Sequence, residues 1–556
     1  MSRDSSSALD QRTAHFWALS ERRWSAIAVV TFALGALILF YSAPHNGEFW
    51  WSDAPRHALN GVFLGDLVAA WPSDPKAWAI DYYVRHPALT ILFYPPLFYV
   101  ISAPFFLLFG VSHATALAVV ELHYFALALA IFYLTRRWLS PTASIALGLA
   151  IMAVPGVALW GRQVMLEIPS LAFLTWSMVA FTRYLASRHY LFLHVAVLLL
   201  LAAVYTKINA VFIVPAFALA LLSARGKAVF SDGQAWIAAL LLLIGLVPIA
   251  ILTLKFGSAN VQSVVGVADS RASRASIAGW VWYAVQLPQL IGWPMLLLAI
   301  GAPVAALARS TWLKISRAEA VLLIAWFVSG YLALSSIDLK EARHAVLIVP
   351  PMLISAGLTV AMFRSRTWLA DLVLLVVVAG TGAYTLAATP VPAVSGYRDA
   401  AKWVATHAPA NAIVLFSGKR DGSFIFNLRT FAERGDISTI RVDKLLLTVS
   451  VRRTLGVAQR PLSEAQIARM LDQDGVQYVV AQDDFWTDIP VMARFQNVLR
   501  STHFSKLLTI PVTANVPSED KTISIYKNLG QVNPHPKALT MPLAIIGTSV
   551  TGKAGK

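Results

Sequence analysis

The sequence predicts a polytopic membrane protein built of α-helices, followed by a smaller α/β domain at the C-terminal end. Of the 556 residues, 57% are hydrophobic and 13% are charged, a balance more apolar than a soluble protein of this size requires. Apolar stretches of about 17 to 25 residues follow one another up to residue 388, each long enough to cross a hydrocarbon core of about 30 Å as a helix. Beyond residue 390 the apolar runs shorten to strand length.

Twelve apolar segments are candidate membrane spans. They are residues 24–43, 91–110, 113–134, 142–160, 168–185, 190–206, 208–224, 235–256, 287–308, 318–336, 343–363 and 367–388. The first is interpreted as a retained span rather than a signal peptide, because no small-residue cleavage site follows it.

Basic residues predict the orientation of these spans. The tail 1–23 is rich in arginine and is expected in the cytoplasm, together with the basic turns between later helices. All of these turns lie on one side if 91–110 does not cross, and Tyr94-Pro95-Pro96 and Pro104 interrupt that segment. Eleven spans then remain, with the N-terminus inside a bacterial inner membrane and the C-terminal domain in the periplasm.

The chain divides into four predicted regions. They are the tail 1–23, a transmembrane domain 24–390 with outer loops 44–92 and 256–282, an α/β domain 391–530, and a tail 531–556 that is expected to be disordered. In the α/β domain, strand-length runs alternate with a helical pattern at Ser463–Leu471. The predicted strands are Ala412–Phe416, Val476–Ala481, Lys506–Ile510 and Thr522–Tyr526.

The formal charge of +16 does not indicate a nucleic-acid partner. The Lys and Arg residues are scattered through short loops, as the positive-inside rule explains, and do not form one basic face. The predicted partner is therefore the lipid bilayer, with anionic lipid phosphates as further candidates.

Four charged residues near helix ends on the predicted outer side are candidates for function, because charges beside apolar helices are costly. They are Asp53, Glu167, Lys207 and Arg343. Two carboxylates, several cations and flanking aromatic residues suit a substrate that carries phosphate and sugar. Alternatives remain open: Asp53 as a helix N-cap, Glu167 as a snorkelling charge, and the two cations as interfacial anchors.

Six short motifs in order resemble a known fold. They are Trp51-Ser52-Asp53-Ala54-Pro55-Arg56-His57-Ala58, Tyr94-Pro95-Pro96-Leu97-Phe98-Tyr99, Phe109-Gly110-Val111-Ser112, Gly161-Arg162-Gln163 through Glu167-Ile168-Pro169, Thr206-Lys207, and Arg343-His344 with Pro350-Pro351. Over about residues 24–390 the chain resembles the GT-C fold, and more narrowly the protein O-mannosyltransferase and lipid A aminoarabinose transferase superfamily (glycosyltransferase family 39-like).

The resemblance implies inverting transfer of a hexose or pentose from a polyprenyl-phosphate donor to a hydroxyl of a lipid, glycan or protein. In that family the first-loop acidic residue is the catalytic base, a position that Asp53 fits, and Glu167 matches the second acidic position. The remaining candidates would bind the donor phosphate or sugar: Lys207, Arg343, Arg56, Arg162, His57, Trp51, Tyr94 and His344.

One departure from the family concerns metal binding. The first-loop motif of the family is commonly Asp-Glu, whereas Ala54 follows Asp53 here. A divalent cation held by Asp53 and Glu167 remains an open alternative, and no other cofactor is implied.

The main alternative function is a secondary transporter or lipid flippase, and a non-catalytic scaffold is a third. Transporters usually contain internal repeats and charges at the bilayer midplane. Glu121 and His123 are the nearest candidates for mid-span polar groups, and the two halves of the chain show no corresponding pattern.

Overall fold

The computed structural model of the protein describes residues 4–257, 261–262, 264–265, 272–308, 315–362, 367–449, 453–543 and 547–554. Within these ranges, helices form the membrane domain, and a five-stranded sheet with flanking helices forms the C-terminal domain. The predicted fold class is confirmed. Parts of the second predicted outer loop, 256–282, lie outside the described residues.

The membrane domain consists of helices joined by short turns. The helices are α1 (Asp4–Ser42), α2 (Asp53–Ala70), α3 (Pro75–Arg85), α4 (Leu97–Phe109), α5 (His113–Thr135), α6 (Pro141–Ala153), α7 (Pro155–Gly161), α8 (Glu167–Ser187), α9 (Tyr190–Thr206), α10 (Val214–Arg225), α11 (Gly233–Phe256), α12 (Ile277–Ile291), α13 (Trp293–Ala308), α14 (Arg317–Ser335), α15 (Val349–Ala361) and α16 (Thr367–Ala388). Short 3₁₀ segments, Ile208–Ile213 and Ala342–Ile348, lead into α10 and α15.

Seven of the described helical segments are long and apolar enough to cross a membrane, and up to nine if each of two bent pairs is one span. The eleven predicted spans also include α8, which carries Glu167 and Arg183, and α9, which has 17 residues. Helix α4 has 13 residues, which corresponds to about 20 Å of helix and is short for a bilayer core.

Two breaks bend the bundle at residues that cannot continue a helix. Helices α6 and α7 meet at 65° where Pro155 removes a backbone donor. Helices α12 and α13 meet at 120° at Gly292, whose φ of +81° lies in the left-handed region. The predicted continuous span 287–308 is therefore corrected to two helices in a sharply bent pair.

The C-terminal domain is an α/β unit around a mixed sheet in the order β3-β2-β6-β9-β7. Its strands are β1 (Val394–Ser395), β2 (Ile413–Ser417), β3 (Ser438–Arg441), β4 (Leu447–Val449), β5 (Val457–Gln459), β6 (Val476–Ala481), β7 (Phe504–Pro511), β8 (Thr513–Ala514) and β9 (Thr522–Asn528). Its helices are α17 (Tyr397–His407), α18 (Asp421–Arg429), α19 (Val442–Leu446), α20 (Glu464–Gln473) and α21 (Pro490–Arg500). Strands β3, β2 and β6 run parallel, and β9 and β7 complete the sheet in antiparallel pairs.

The tail differs from the prediction of disorder. Strands β10 (Leu539–Leu543) and β11 (Thr548–Gly552) form an antiparallel hairpin. The hairpin is held by other parts of the chain, because the Lys553 amide donates to Asp81 Oδ1 at 2.9 Å and Ser438 Oγ donates to the Ala554 carbonyl at 2.5 Å. The hairpin therefore depends on contacts with residues far away in the chain, and the composition of the tail alone does not predict these contacts.

The C-terminal domain contacts the segment 44–92 through α18. Asn427 Nδ2 donates to the Gly47 carbonyl at 3.2 Å, and Arg429 Nη2 donates to Asp66 Oδ2 on α2 at 2.6 Å. A Cβ on Gly422 would lie 3.0 Å from Pro55 Cγ, so the first turns of α18 and α2 are in close contact. The two domains therefore share an interface beside Asp53.

Candidate active site

Five charged side chains from separate parts of the membrane domain form one cluster, which we call the charge centre: Asp53, Glu167, Lys207, Glu341 and Arg343. Asp53 is the first residue of α2, and Glu167 is the first residue of α8. Lys207 follows the last residue of α9, and Arg343 lies in the 3₁₀ segment before α15. Carboxylates at helix N-termini and a cation at a C-terminus are favoured by the helix dipoles.

The ion pairs of the charge centre form a chain of alternating charge. Arg343 Nη1 donates to Asp53 Oδ2 at 3.0 Å, and Arg343 Nε lies 3.8 Å from Glu167 Oε1. Lys207 Nζ donates to the same Glu167 oxygen at 2.5 Å. Glu341 also accepts a hydrogen bond from Arg343. The four residues singled out from the sequence, Asp53, Glu167, Lys207 and Arg343, therefore lie together.

Asp53 is ionised at neutral pH. Burial alone raises the pKa of its carboxyl, but the charge of Arg343 and the hydrogen bond from it bring the pKa below its ordinary value. An ionised carboxylate is the state required of a general base.

His57 is uncharged beside this cluster. Burial lowers the pKa of its imidazole to about 4, against the opposing effect of Asp53. Its Nδ1 is 2.9 Å from the Tyr99 hydroxyl, and its ring meets the Tyr94 ring edge-on with centroids 4.8 Å apart. A neutral ring in this position is suited to hydrogen bonding rather than to charge pairing.

Aromatic rings lie against the centre on another side. The rings of Trp51 and Trp160 are 5.2 Å apart, and the Arg343 guanidinium lies 5.9 Å from the centroid of the Trp160 ring. An arginine beside a tryptophan face is stabilised by the ring quadrupole. His344 Nε2 lies 3.8 Å from Glu341 Oε2 at the edge of the cluster.

Two predicted donor-binding residues, Arg56 and Arg162, have side chains that are bound by partners outside the charge centre. Arg56 Nη2 donates to both oxygens of Asp421 at 2.9 Å, across the interface with the C-terminal domain. Arg162 donates to the carbonyls of Ala158 at 3.1 Å and Thr389 at 2.7 Å. It lines a cavity of about 720 Å³ between the C-terminal ends of α1 and α16 and strands β1 and β8. Both residues belong to the motifs quoted above, but their side chains are bound by partners outside the charge centre.

Three residues of this neighbourhood were not singled out from the sequence: Glu341, Trp160 and Tyr99. Glu341 stands two residues before Arg343, and an acid so close to a candidate cation is a usable signal. Tyr99 and Trp160 fall inside or next to the quoted motifs. Their ring contacts depend on how α4 and α7 pack, which the motifs do not specify.

The donor set offers limited support for a divalent cation. Among the described residues, no group of three or more His, Asp or Glu side chains is arranged to hold a metal ion. Glu167 Oε2 is buried without a hydrogen-bond partner in the described structure, but Arg343 lies between Asp53 and Glu167. A cation shared by these carboxylates would have to displace the guanidinium.

Comparisons with known proteins agree with this architecture. Residues 94–252 match the family described as dolichyl-phosphate-mannose-protein mannosyltransferase, a segment that contains Glu167 and Lys207. A search of curated proteins finds no match.

Solved structures match over most of the chain. ArnT from Cupriavidus metallidurans in the apo state superposes with a TM-score of 0.58 at 14% identity, covering 94% of this chain and 100% of that one. The same protein bound to undecaprenyl phosphate gives a TM-score of 0.57 at 13% identity, covering 91% of this chain and 99% of that one. The archaeal oligosaccharyltransferase AglB from Archaeoglobus fulgidus, in complex with an inhibitory peptide and a dolichol-phosphate, gives 0.50 at 13% identity, covering 90% and 75%. The chain is therefore a multi-pass membrane protein with the fold of the GT-C glycosyltransferases.

Proposed function

We propose that this protein is a membrane glycosyltransferase that moves a monosaccharide from a polyprenyl-phosphate donor to a hydroxyl of a lipid, glycan or protein. The reaction would take place on the periplasmic side of a bacterial inner membrane. The observation that carries the proposal is the charge centre itself, in which Asp53 pairs with Arg343 and Glu167 pairs with Lys207 at helix ends of a GT-C fold.

The cations suit the phosphate of the donor. Arginine binds phosphate oxygens through two parallel N–H groups, and lysine adds a compact charge. Related structures support a lipid phosphate, because ArnT was solved with undecaprenyl phosphate and AglB with a dolichol-phosphate. Residues at the ends of membrane-spanning helices are expected near the lipid headgroups, so the phosphate of such a donor would meet them while its isoprenoid tail contacts the helices.

In the proposed reaction, Asp53 accepts the proton of the acceptor hydroxyl as its oxygen attacks the anomeric carbon. The bond between that carbon and the phosphate oxygen breaks, and the electron pair leaves with polyprenyl phosphate. Attack from the face opposite the leaving group inverts the anomeric configuration. Lys207 and Arg343 stabilise the charge that develops on the phosphate, and Asp53 then releases its proton to water.

The charge balance of the centre limits how the donor binds. Two cations, Lys207 and Arg343, are surrounded by three carboxylates, those of Asp53, Glu167 and Glu341. A bound phosphodiester adds another negative charge, so Arg343 must exchange at least one carboxylate for the phosphate. Glu341, whose side chain is 29% exposed, is the carboxylate most accessible to water after such an exchange.

A second candidate function is transport coupled to protonation. Both carboxylate oxygens of Glu121, within α5, are buried and have no hydrogen-bond partner in the described structure. An unpaired acid inside a membrane helix is typical of proton relays. A single residue, Glu121, supports transport, whereas the several residues of the charge centre support sugar transfer.

Product formation separates these functions. The purified protein in lipid vesicles is incubated with undecaprenyl-phosphate-linked pentoses and hexoses carrying a radiolabelled sugar, with membranes lacking the protein as the acceptor source. We expect release of undecaprenyl phosphate and appearance of label in a new product. Absence of product with every donor, together with movement of label into sealed vesicles, would support transport instead.

The orientation can be tested independently. Compartment-sensitive reporters fused after Gly110 and after Ser140 should report opposite sides, because α5 lies between them. A periplasmic signal at Ser140 would contradict the proposed orientation and move the charge centre to the cytoplasmic face.

A further inference from the structure

The α2 helix carries a second charged residue whose partner lies in the C-terminal domain. Arg56 is three residues after Asp53, a spacing at which side chains on one helix are neighbours. Within the described residues, Asp53 forms an ion pair with Arg343 and none with Arg56. The guanidinium of Arg56 is bound by Asp421, and its Nη1 donates to the Ser52 carbonyl at 2.5 Å.

Asp421 is itself held firmly. It is the first residue of α18, and its side chain is 6% exposed. Its Oδ2 lies 2.7 Å from Arg441 Nη1, and Asp443 binds Arg441 through both oxygens at 3.0 and 2.6 Å. We call Arg56, Asp421, Arg441, Asp443 and the adjacent Lys444 the interdomain cluster.

We infer that Asp421 is a positioning residue that keeps Arg56 away from Asp53, so that Arg343 alone pairs with the proposed base. This inference rests on the proposed function and gives the C-terminal domain a role in it. A second cation on Asp53 would lower its proton affinity and occupy the space that the acceptor hydroxyl needs. The buried carboxylate of the C-terminal domain prevents this by binding Arg56 with both oxygens.

The central variant is Asp421→Asn, which keeps the shape of the side chain and removes its charge. Arg56 is then free to pair with Asp53, and we expect turnover to fall about tenfold while binding of undecaprenyl phosphate stays within about twofold of wild type. Asp421→Glu, which retains a carboxylate, should recover much of the turnover.

The decisive comparison adds Arg56→Gln. Since Arg56 does not belong to the charge centre, this single variant should keep turnover within about twofold of wild type. The double variant R56Q/D421N should recover turnover to within about threefold of wild type, because no second cation remains to bind Asp53. A purely structural role for Asp421 predicts no such rescue.

A matched control lies at the other end of α2. Arg429→Gln removes the ion pair with Asp66, which also joins α18 to α2, about 20 Å along the helix from Asp53. Turnover should change by less than about twofold. An equal loss in R429Q and D421N would attribute the effect to domain docking and overturn the inference.

If Asp421→Asn does not fold, a second variant that leaves no partner of Arg441 unpaired in the interdomain cluster tests the same inference. The variant D421N/R441Q/D443N removes Arg441 together with both of its carboxylate partners, and it should show the same fall in turnover and the same rescue by Arg56→Gln. Suppose that the wild type transfers sugar, that Asp53→Asn does not, and that neither D421N nor the triple variant changes turnover. That result would overturn the role of Asp421 and leave the proposed function standing. A wild-type protein that transfers no sugar overturns the proposed function and this role with it.

Discussion

The charge centre and the interdomain cluster both combine acidic and basic side chains, and each takes one residue from helix α2, Asp53 and Arg56 respectively. They differ in how completely their carboxylates are paired. In the interdomain cluster, both oxygens of Asp421 and both of Asp443 accept hydrogen bonds or ion pairs from arginines. In the charge centre, Glu167 Oε2 is buried without a partner among the described residues, and carboxylates outnumber cations.

This difference suggests different roles. Buried polar groups in folded proteins are normally satisfied, and an unsatisfied one calls for an explanation such as a missing ligand. Completely paired buried charges hold parts of a structure in place, and removing one partner is costly. Substitutions in the charge centre should therefore affect transfer most. Substitutions in the interdomain cluster should affect stability, and transfer only where they release Arg56.

Among the variants that compare the two clusters, Arg343→Ala in the charge centre should lower the rate of sugar transfer most. Loss of the guanidinium removes a donor to the leaving phosphate, so transfer should fall by about 10²- to 10³-fold. Binding of undecaprenyl phosphate, measured by titration in detergent, should weaken as well. Transfer near the wild-type rate would mean that Arg343 is a structural anchor and that the two clusters do not differ as described.

The corresponding variant in the interdomain cluster is Arg441→Gln. It leaves Asp421 with Arg56 only and Asp443 without its ion pair, so the free energy of unfolding should fall by about 3 kcal/mol or more. Denaturant unfolding of the purified protein measures this change. A loss of transfer without a loss of stability would assign Arg441 to the chemistry.

Glu341→Gln sharpens the comparison by changing the charge balance of the centre. Glu341 competes with phosphate for Arg343, so its neutralisation should tighten binding of undecaprenyl phosphate about threefold to tenfold. The same titration measures the change. Weaker binding in this variant would show that Glu341 orients Arg343 rather than competing for it.

The smallest expected effect concerns the pH dependence of stability at the interdomain cluster. Burial, followed by the charge of Arg441, lowers the pKa of Lys444 to about 8, below its ordinary value of about 10.4. Between these values the unfolded chain binds more protons than the folded chain, so this residue makes stability rise with pH. The thermal midpoint should rise more between pH 8 and 10 in wild type than in Lys444→Met. An equal or smaller rise in wild type would contradict the assignment.

The sequence predicted those features that depend on patterns of neighbouring residues. Apolar length predicted most of the helices, and polar residues at helix ends predicted that Asp53, Glu167, Lys207 and Arg343 gather. The bend at Gly292 was missed because apolar residues continue through it, and hydropathy does not report φ.

Side-chain partners far apart in the chain could not be predicted. Arg56 was assigned to the donor because it stands beside Asp53, yet its partner Asp421 is 365 residues away. The tail hairpin likewise depends on Asp81 and Ser438. A basic residue in a motif indicates the side of the membrane, whereas the direction of its side chain depends on tertiary packing.

The most direct test of the central claim is the paired measurement of transfer and donor binding in Asp53→Asn. The amide keeps the size of the side chain but cannot accept the proton of the acceptor hydroxyl. We expect transfer to fall at least about a hundredfold, while undecaprenyl phosphate binds within about threefold of wild type and the thermal midpoint is preserved. Transfer close to the wild-type rate in a folded Asp53→Asn protein would contradict the account.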